Sequence, residues 1–266
     1  MENRIIRVEV RNGSVVPAAA EVWLRVETAF RTPTTELRGR LMGPRCRFAA
    51  TIEVAYPLRP FGKAPDEFEG LSGRVVIPEA SLWDPESPFL YQGPLELWQD
   101  GRLCERVTVK HGLRARTLGP RGLSINGRRL SLRGRSGSAL TETEALTLRS
   151  EGVNLLLTPV TTATQPLWEL ADSIGFLIVG KITHFDAETP ALVAALSAHA
   201  SCLGWLVEPA DVGRLAGEIV GVAAEHAPLE GVQFVVGDAG MTGTGLPLLV
   251  RGKTALNLPG ALASFE

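Results

Sequence analysis

The feature that most constrains this chain is a change of hydrophobic period near residue 118. Downstream, the runs GVNLLLTPV, FLIVGKI and CLGWLVEP are almost continuously apolar and alternate with segments that carry helix signals. A strand that is apolar on both faces must be covered on both faces, and strands alternating with helices build a parallel sheet. Upstream, IIRVEV, EVWLRVETAF, CRFAATIEVAYPL, GRVVIP, GPLELWQD and CERVTVK alternate polar with apolar between Pro- and Gly-containing breaks. That pattern buries one face of each strand and predicts an all-β sandwich. A length of 266 residues suits two domains, here 1–116 and 117–266.

The junction is LSINGRRLSLRG, in which Asn126-Gly127 supplies the two positive φ angles of a type I′ hairpin turn. TETEALTLRSEG predicts a helix with Thr141 and Glu144 spaced as a capping box. TQPLWELADSIG predicts another, with Pro166 near its first turn and Gly175 at its end. TPALVAALSAHA and DVGRLAGEIVGVAAEHA are expected as helices, the second capped by Asp211. VQFVVGDAG and LPLLVRGK are further strands, and TALNLPGALASF a short last helix interrupted by Pro259. Counting from LSLRG gives about six strands of the parallel sheet by Arg251.

The net charge of −2 offers no global attraction to nucleic acid or anionic lipid. Its distribution is uneven. Arg106–Thr141 holds nine Lys or Arg and no acid, whereas Glu142 to the end holds 14 acids and five bases. The arginines of the basic band alternate with apolar residues and lack aromatic stacking partners, so a solvated face is expected and no nucleic-acid partner. Cys46, Cys104 and Cys202 have no metal-type spacing and form no disulfide framework. The N-terminus shows no secretory h-region, and no apolar run reaches the ~18 residues needed to span a bilayer. A cytoplasmic protein without membrane, cofactor or metal is the expectation.

The phrases LWDPESPFLY (Leu82–Tyr91), GLR (Gly112–Arg114) and LSINGRRLSLRGRS (Leu123–Ser136) follow one another in an order that resembles glycoside hydrolase family 2, the β-galactosidase, β-glucuronidase and β-mannosidase family. EGVNLLLTP, WELADSIGFLIV and HASCLGW fit the barrel segments that follow. The resemblance implies an immunoglobulin-like β-sandwich followed by a truncated or modified (β/α) TIM-like barrel. It also locates departures. Ser136, Ser138 and Ala139 stand where the family has Asn, His and Glu, Leu157 where it offers an Arg, and Gly180-Lys181 where it has an acidic pair. Aligning His199 and Trp205 with the fourth-strand signature puts Ala210 at the acid/base Glu, with Glu208 two residues early. The family's nucleophile lies on the seventh strand, which the count of six does not reach, and the family's N-terminal jelly roll has no counterpart in the sequence.

A retaining glycosidase needs two carboxyl groups ~5 Å apart, because one carboxylate cannot both protonate the leaving oxygen and capture the sugar cation. Glu208 with Asp238 is the candidate pair, with Asp211 as a second partner; the alternatives are a salt bridge or cap for Glu208 and a helix cap for Asp211. Lys181, at a buried strand end, is expected to pair with Glu208 or Asp238. His184, beside Asp186, is a candidate binding or proton-shuttling group, and Trp205 a candidate binding residue or core. GDAGMTGTG is Gly-rich but lacks the phosphate-loop order. Two functions remain open: a catalytically inactive module that binds carbohydrate or a protein partner, or a glycosidase with a relocated carboxylate pair. An incomplete barrel would expose strand edges, which favours a homo-oligomer.

Overall fold

The computed structural model describes residues 3–16, 18–61, 70–119, 122–227, 229–238, 246, 248–251 and 261–265; at 119, 122, 224, 238, 248–251 and 261–265 the backbone alone is described. The chain divides into two compact units, Met1–Trp83 with Ser87–Arg114, and Asp84–Glu86 with Ala115–Glu266.

The first unit contains β1 (Ile5–Val16), β2 (Ala19–Thr28), β3 (Glu36–Arg45), β4 (Val54–Pro57), β5 (Arg59–Phe61), β6 (Leu71–Pro78), β7 (Leu90–Gln99) and β8 (Arg102–His111). They pair into two antiparallel sheets, ordered β1-β2-β6-β5 and β4-β3-β7-β8. The period-two pattern is realised directly: Val22, Leu24 and Val26 of β2 and, on the neighbouring β6, Val75 and Ile77 share one apolar core with Leu37 and Leu41 of β3 and Leu95 and Leu97 of β7. Burying each such side chain stabilises the fold by roughly 1.5–3 kcal/mol. Trp83 and Tyr91, from the LWDPESPFLY phrase, are also buried. The Trp83 N–H donates to the Leu113 carbonyl at 2.6 Å, and the Tyr91 hydroxyl accepts the Ser81 N–H at 2.9 Å. Burial pushes the Tyr91 phenol above its ordinary pKa.

The second unit opens with β9 (Arg116–Gly119), β10 (Gly122–Ile125) and β11 (Arg128–Arg129), a small antiparallel sheet. Asn126 and Gly127 form its turn with φ of 52° and 76°. Eight parallel strands follow: β12 (Leu132–Ser136), β13 (Leu155–Pro159), β14 (Leu177–Lys181), β15 (Cys202–Leu206), β16 (Val220–Ala223), β17 (Phe234–Asp238), β18 (Leu248–Arg251) and β19 (Ala261–Phe265). Each pairs with the next, and β19 returns to pair with β12.

This corrects the count of six. β18 is the seventh strand of the set and ends at Arg251, and the eighth lies where a last helix is expected. The strand missed is β16, inside the segment expected as the helix 211–227; only Pro209–Leu215 and Ala224–His226 are helical there, as 3-10 turns on either side of β16. Glycine explains the miss. Gly217 has φ +87°, which ends the turn, and a Cβ on Gly221 would lie 2.3 Å from the Phe234 ring, so β16 and β17 pair this closely only with glycine at 221. The return pairing also removes the bare strand edge that favoured an oligomer.

Three helices cover the early strands: α1 (Glu142–Ser150), α2 (Gln165–Ile174) and α3 (Thr189–Ser197). The expected capping box starts α1, with Glu144 N–H donating to Thr141 Oγ1 at 3.3 Å and Thr141 N–H to Glu144 Oε2 at 2.7 Å. Gly175 ends α2 in the left-handed region at φ +92°, and a Cβ there would be 2.3 Å from the Pro85 carbonyl oxygen. Arg149 of α1 donates to that carbonyl, to Glu86 O at 2.8 Å and to Ile174 O at 2.7 Å. Leu167, Trp168, Ala171 and Ile174 form the buried stripe of α2, and the only charge set into it is Asp172. Its carboxylate accepts His199 Nδ1–H at 2.7 Å and the Ser201 N–H at 2.7 Å, tying α2 to the turn that starts β15. A carboxylate is acceptor-only, so Nδ1 carries the proton. Burial raises the Asp172 pKa, but the hydrogen bonds from His199 and Ser201 outweigh it and hold the group below its ordinary value.

Two outcomes follow. Gly175→Ala is expected to lower stability by about 1–3 kcal/mol in urea unfolding, from a strained φ and the clash with Pro85. Gly137→Ala, where an added Cβ meets nothing within 4 Å, should stay within about 0.5 kcal/mol of the parent. For Asp172, the ionised form is the one held, so its contribution is present above the unfolded pKa of about 3.9 and is lost as pH falls through the lower folded value. Asp172→Asn should therefore cost about 1–3 kcal/mol at pH 7 and distinctly less near pH 3; equal costs at both pH values would contradict this linkage.

Candidate functional site

The carboxyl ends of β14 and β15 carry most of the residues singled out from sequence. Parallel sheets gather ligand-binding groups at this end, because the loops that leave it are free to vary without disturbing strand pairing. β14 closes with Lys181, in register with Pro159 on one side and Leu206 on the other. Its side chain is exposed, and its carbonyl accepts the Val160 N–H at 3.0 Å. Two residues beyond β15, Glu208 is also exposed. Among the described residues neither side chain has an ion-pair partner, so the expected Lys181–Glu208 pair does not form. The reason is local: both side chains reach water, where an ion pair gains little over hydration.

Glu208 precedes the 3-10 turn Pro209–Leu215, and its carbonyl accepts the Asp211 N–H at 3.0 Å while its carboxylate caps nothing. Asp211 lies within that turn and is therefore not an N-cap; it pairs with Arg214 at 3.4 Å. The Arg214 guanidinium lies 4.9 Å from the Phe185 ring centroid, which joins the loop after β14 to the turn after β15. Phe185 and Arg214 were not candidates from sequence. Their spacing of 29 residues carries no local signal, and only the parallel pairing of β14 with β15 brings them together.

His184 is exposed in the loop after β14. Asp186 beside it is engaged elsewhere: Oδ1 accepts the Thr189 hydroxyl at 2.7 Å, the Thr189 N–H at 2.9 Å and the Glu188 N–H at 3.0 Å. These bonds, the Thr189 hydroxyl first, hold the Asp186 carboxyl below its ordinary pKa. Asp186 is thus fixed at the start of α3 and is not arranged as a proton partner of His184. Among the described residues no group of three His, Cys, Asp or Glu is placed to hold a metal ion.

Trp205 is fully buried, which corrects its candidacy as a binding residue. Its ring stacks on Trp168 with centroids 5.5 Å apart and an interplanar angle of 25°. On the adjacent strand, Gly180 leaves room for it: a Cβ there would lie 2.6 Å from the Trp205 ring. The indole N–H donates to Glu218 at 3.4 Å, and Glu218 also meets Arg116 at 3.5 Å. A buried ring that is stacked, enclosed and hydrogen-bonded is core.

Asp238 ends β17 in register with Arg251 of β18; its side chain lies outside the described part. β16 intervenes between β15 and β17, so the backbones that carry Glu208 and Asp238 are two strand spacings apart, roughly 9–10 Å. The Gly-rich stretch after Asp238 falls at 239–245, outside the described residues. Of the family positions with departures, Leu157 is half-buried on β13 and Ser136 ends β12 exposed; Thr158, next to Leu157, is buried with a hydroxyl that has no hydrogen-bond partner among the described residues. No helix among the described residues is long and apolar enough to cross a membrane.

Residues 5–114 match the family model described as glycosyl hydrolases family 2. A comparison with curated protein sequences returned no match. Among solved structures, a β-glycosidase from Bacteroides vulgatus superposes with a TM-score of 0.68 at 15% identity, covering 94% of this chain and 38% of that one. β-Glucuronidase 3 of Bacteroides uniformis gives 0.67 at 16% identity, covering 94% and 39%. A glycosyl hydrolase family 2 member from Bacteroides cellulosilyticus gives 0.66 at 13% identity, covering 97% and 43%. The chain therefore spans less than half the length of each of these proteins. The chain is thus similar to glycosyl hydrolases family 2: its β-sheet unit matches the family model, and nearly its whole length shares the fold of the solved structures.

Proposed function

We propose that this chain is an immunoglobulin-like sandwich followed by a modified TIM-like barrel that does not hydrolyse glycosides and instead serves as a binding module for carbohydrate or for a protein partner. The observation that carries the reading is the seventh strand. In the family it supplies the nucleophilic Glu; here β18 reads Leu248-Leu249-Val250-Arg251, and no Asp or Glu occurs from Pro247 to Phe265. The fourth strand supports it as well, since the position aligned with the acid/base Glu is Ala210. Without a nucleophile and a proton donor on facing strand ends, the two-carboxylate route has neither of its steps. The relatives are named as glycosidases and glucuronidases, which makes a sugar the leading class of ligand at the ends of β14 and β15. Lys181, His184 and Glu208, all exposed there, are the groups available to meet it.

A second reading keeps one specific observation in its favour. Glu208 is exposed and unpaired among the described residues, so its carboxylate is accessible, and Asp238 ends a strand of the same set. A hydrolase built on this pair would be a relocated version of the family chemistry. The two readings separate in one assay. Against a panel of aryl β-glycosides and aryl β-glucuronides, turnover is expected at the buffer background for the parent, Glu208→Gln and Asp238→Asn alike. Turnover by the parent that Glu208→Gln removes would replace the binding-module reading with the hydrolase.

A further inference from the structure

The sequence holds two Asn-Gly pairs, Asn12-Gly13 and Asn126-Gly127. Such a pair can react with itself. The backbone nitrogen of the glycine attacks the side-chain carbonyl carbon of the asparagine, and no Cβ on the glycine stands in the way. Asn3, Asn154 and Asn257 precede Arg4, Leu155 and Leu258, whose side chains crowd the same attack.

The two pairs lie in different surroundings. Asn126 and Gly127 are the central residues of the turn between β10 and β11, with φ of 52° and 76°. The ladder behind the turn is short, Ser124 with Arg129 and Ile125 with Arg128. Gly127 is exposed, and a Cβ there would meet nothing within 4 Å. The Asn126 N–H donates to the Ala115 carbonyl at 2.7 Å, and its Oδ1 accepts the Ala115 N–H at 2.9 Å. Asn12 lies within β1, in register with Val22 of β2. Its Oδ1 accepts His111 Nε2–H at 2.6 Å, and its Nδ2–H donates to the Arg114 carbonyl at 3.1 Å. The Trp23 ring packs against Gly13, where a Cβ would lie 2.6 Å from Nε1. A short hairpin with an exposed tip opens at lower cost than a long strand with a ring packed on it.

We propose that Asn126 is a site of spontaneous deamidation, reached by local opening of the β10–β11 turn and reacting well ahead of Asn12. The Gly127 nitrogen bonds to Cγ of Asn126 and the Cγ–Nδ2 bond breaks, so that ammonia leaves with the proton from Gly127. The product is a cyclic succinimide. Water then opens the ring: cleavage of the new N–Cγ bond gives aspartate, and cleavage of the main-chain N–C bond gives isoaspartate. Aspartate keeps an acceptor for the Ala115 N–H. Isoaspartate carries the backbone through Cβ, which lengthens the turn and takes it out of type I′ geometry. Water is the only co-reactant, and the site does not depend on the binding-module reading.

The full chain is aged at mildly alkaline pH in native buffer and, in parallel, in concentrated urea, then digested with trypsin. Chromatography with mass spectrometry follows the asparagine, aspartate and isoaspartate forms of two peptides, Gly122–Arg128 and Asn12–Arg25. In native buffer Asn126 is expected to convert about tenfold faster than Asn12, a ratio set by the difference in opening cost. In urea both convert faster and their rates draw together, because turn and strand are gone. Gly127→Ala, read in urea where its folding does not matter, should lose most of the conversion at Asn126 and none at Asn12. Asn12 converting as fast as Asn126 in native buffer overturns the proposal. So does an Asn126 that stays intact there while the urea sample reacts to completion. A native rate at Asn126 equal to or above its rate in urea overturns the gating by the turn, and unchanged conversion in Gly127→Ala overturns the chemistry.

Discussion

Parallel strands that are apolar on both faces need a neighbour on each edge, and in the second unit that requirement is met by a ring. β12 pairs with β13 and with β19, so all eight strands have two neighbours. A closed ring has no template edge for another chain to join. The requirement is met with little chain. The first three connections, 137–154, 160–176 and 182–201, run to 17–20 residues and hold α1, α2 and α3; the last two, 239–247 and 252–260, have nine residues each. Among the described residues the three helices lie on the early strands, and β12 turns Arg133 and Arg135 outward, exposed, where an apolar strand face would need cover.

The same economy decides what was legible in the sequence. The sandwich was legible because period-two alternation maps directly onto one buried face, as in Val22, Leu24 and Val26. The three helices were legible through their ends: Thr141 with Glu144, Pro166, and Gly175. β16 was not, because GEIVGVAAEHA matches a helical period as well as a short strand, and the deciding contact is non-local. Gly221 must leave space for the Phe234 ring. The eighth strand was hidden in the same way, since ALASF has neither the length nor the β-branched content of a strand and is extended only by pairing with both β18 and β12.

Of the candidate site, sequence located the strand ends but not the partners. Lys181, His184 and Glu208 fall at the carboxyl ends of β14 and β15, as the family resemblance implied. Pairing between them was an inference from proximity along the strands, and hydration defeats it because both charges are exposed. Trp205 misled for the opposite reason. An aromatic residue in a signature phrase is as compatible with a sugar platform as with core, and only Gly180 on the neighbouring strand, the Trp168 stack and Glu218 decide the matter.

Polar groups with protein partners and polar groups that face water divide along β15. At its amino end, Asp172 binds His199 and Ser201, while Arg116 donates to the Cys202 carbonyl at 2.7 Å and the Leu203 carbonyl at 3.0 Å. These are buried or part-buried polar groups with partners, and removing one partner leaves the other uncompensated, so they persist as a set. At its carboxyl end, Val207-Glu208-Pro209-Ala210 runs into a 3-10 turn with no carboxylate cap and no ion pair to Glu208 among the described residues. Substitution there costs the fold little, because exposed groups have water as an alternative partner. Barrels keep stability at the amino end of the strands and chemistry at the carboxyl end, so the carboxyl end is the one that can vary at little cost to the fold. β15 has that asymmetry within five strand residues and the turn that follows.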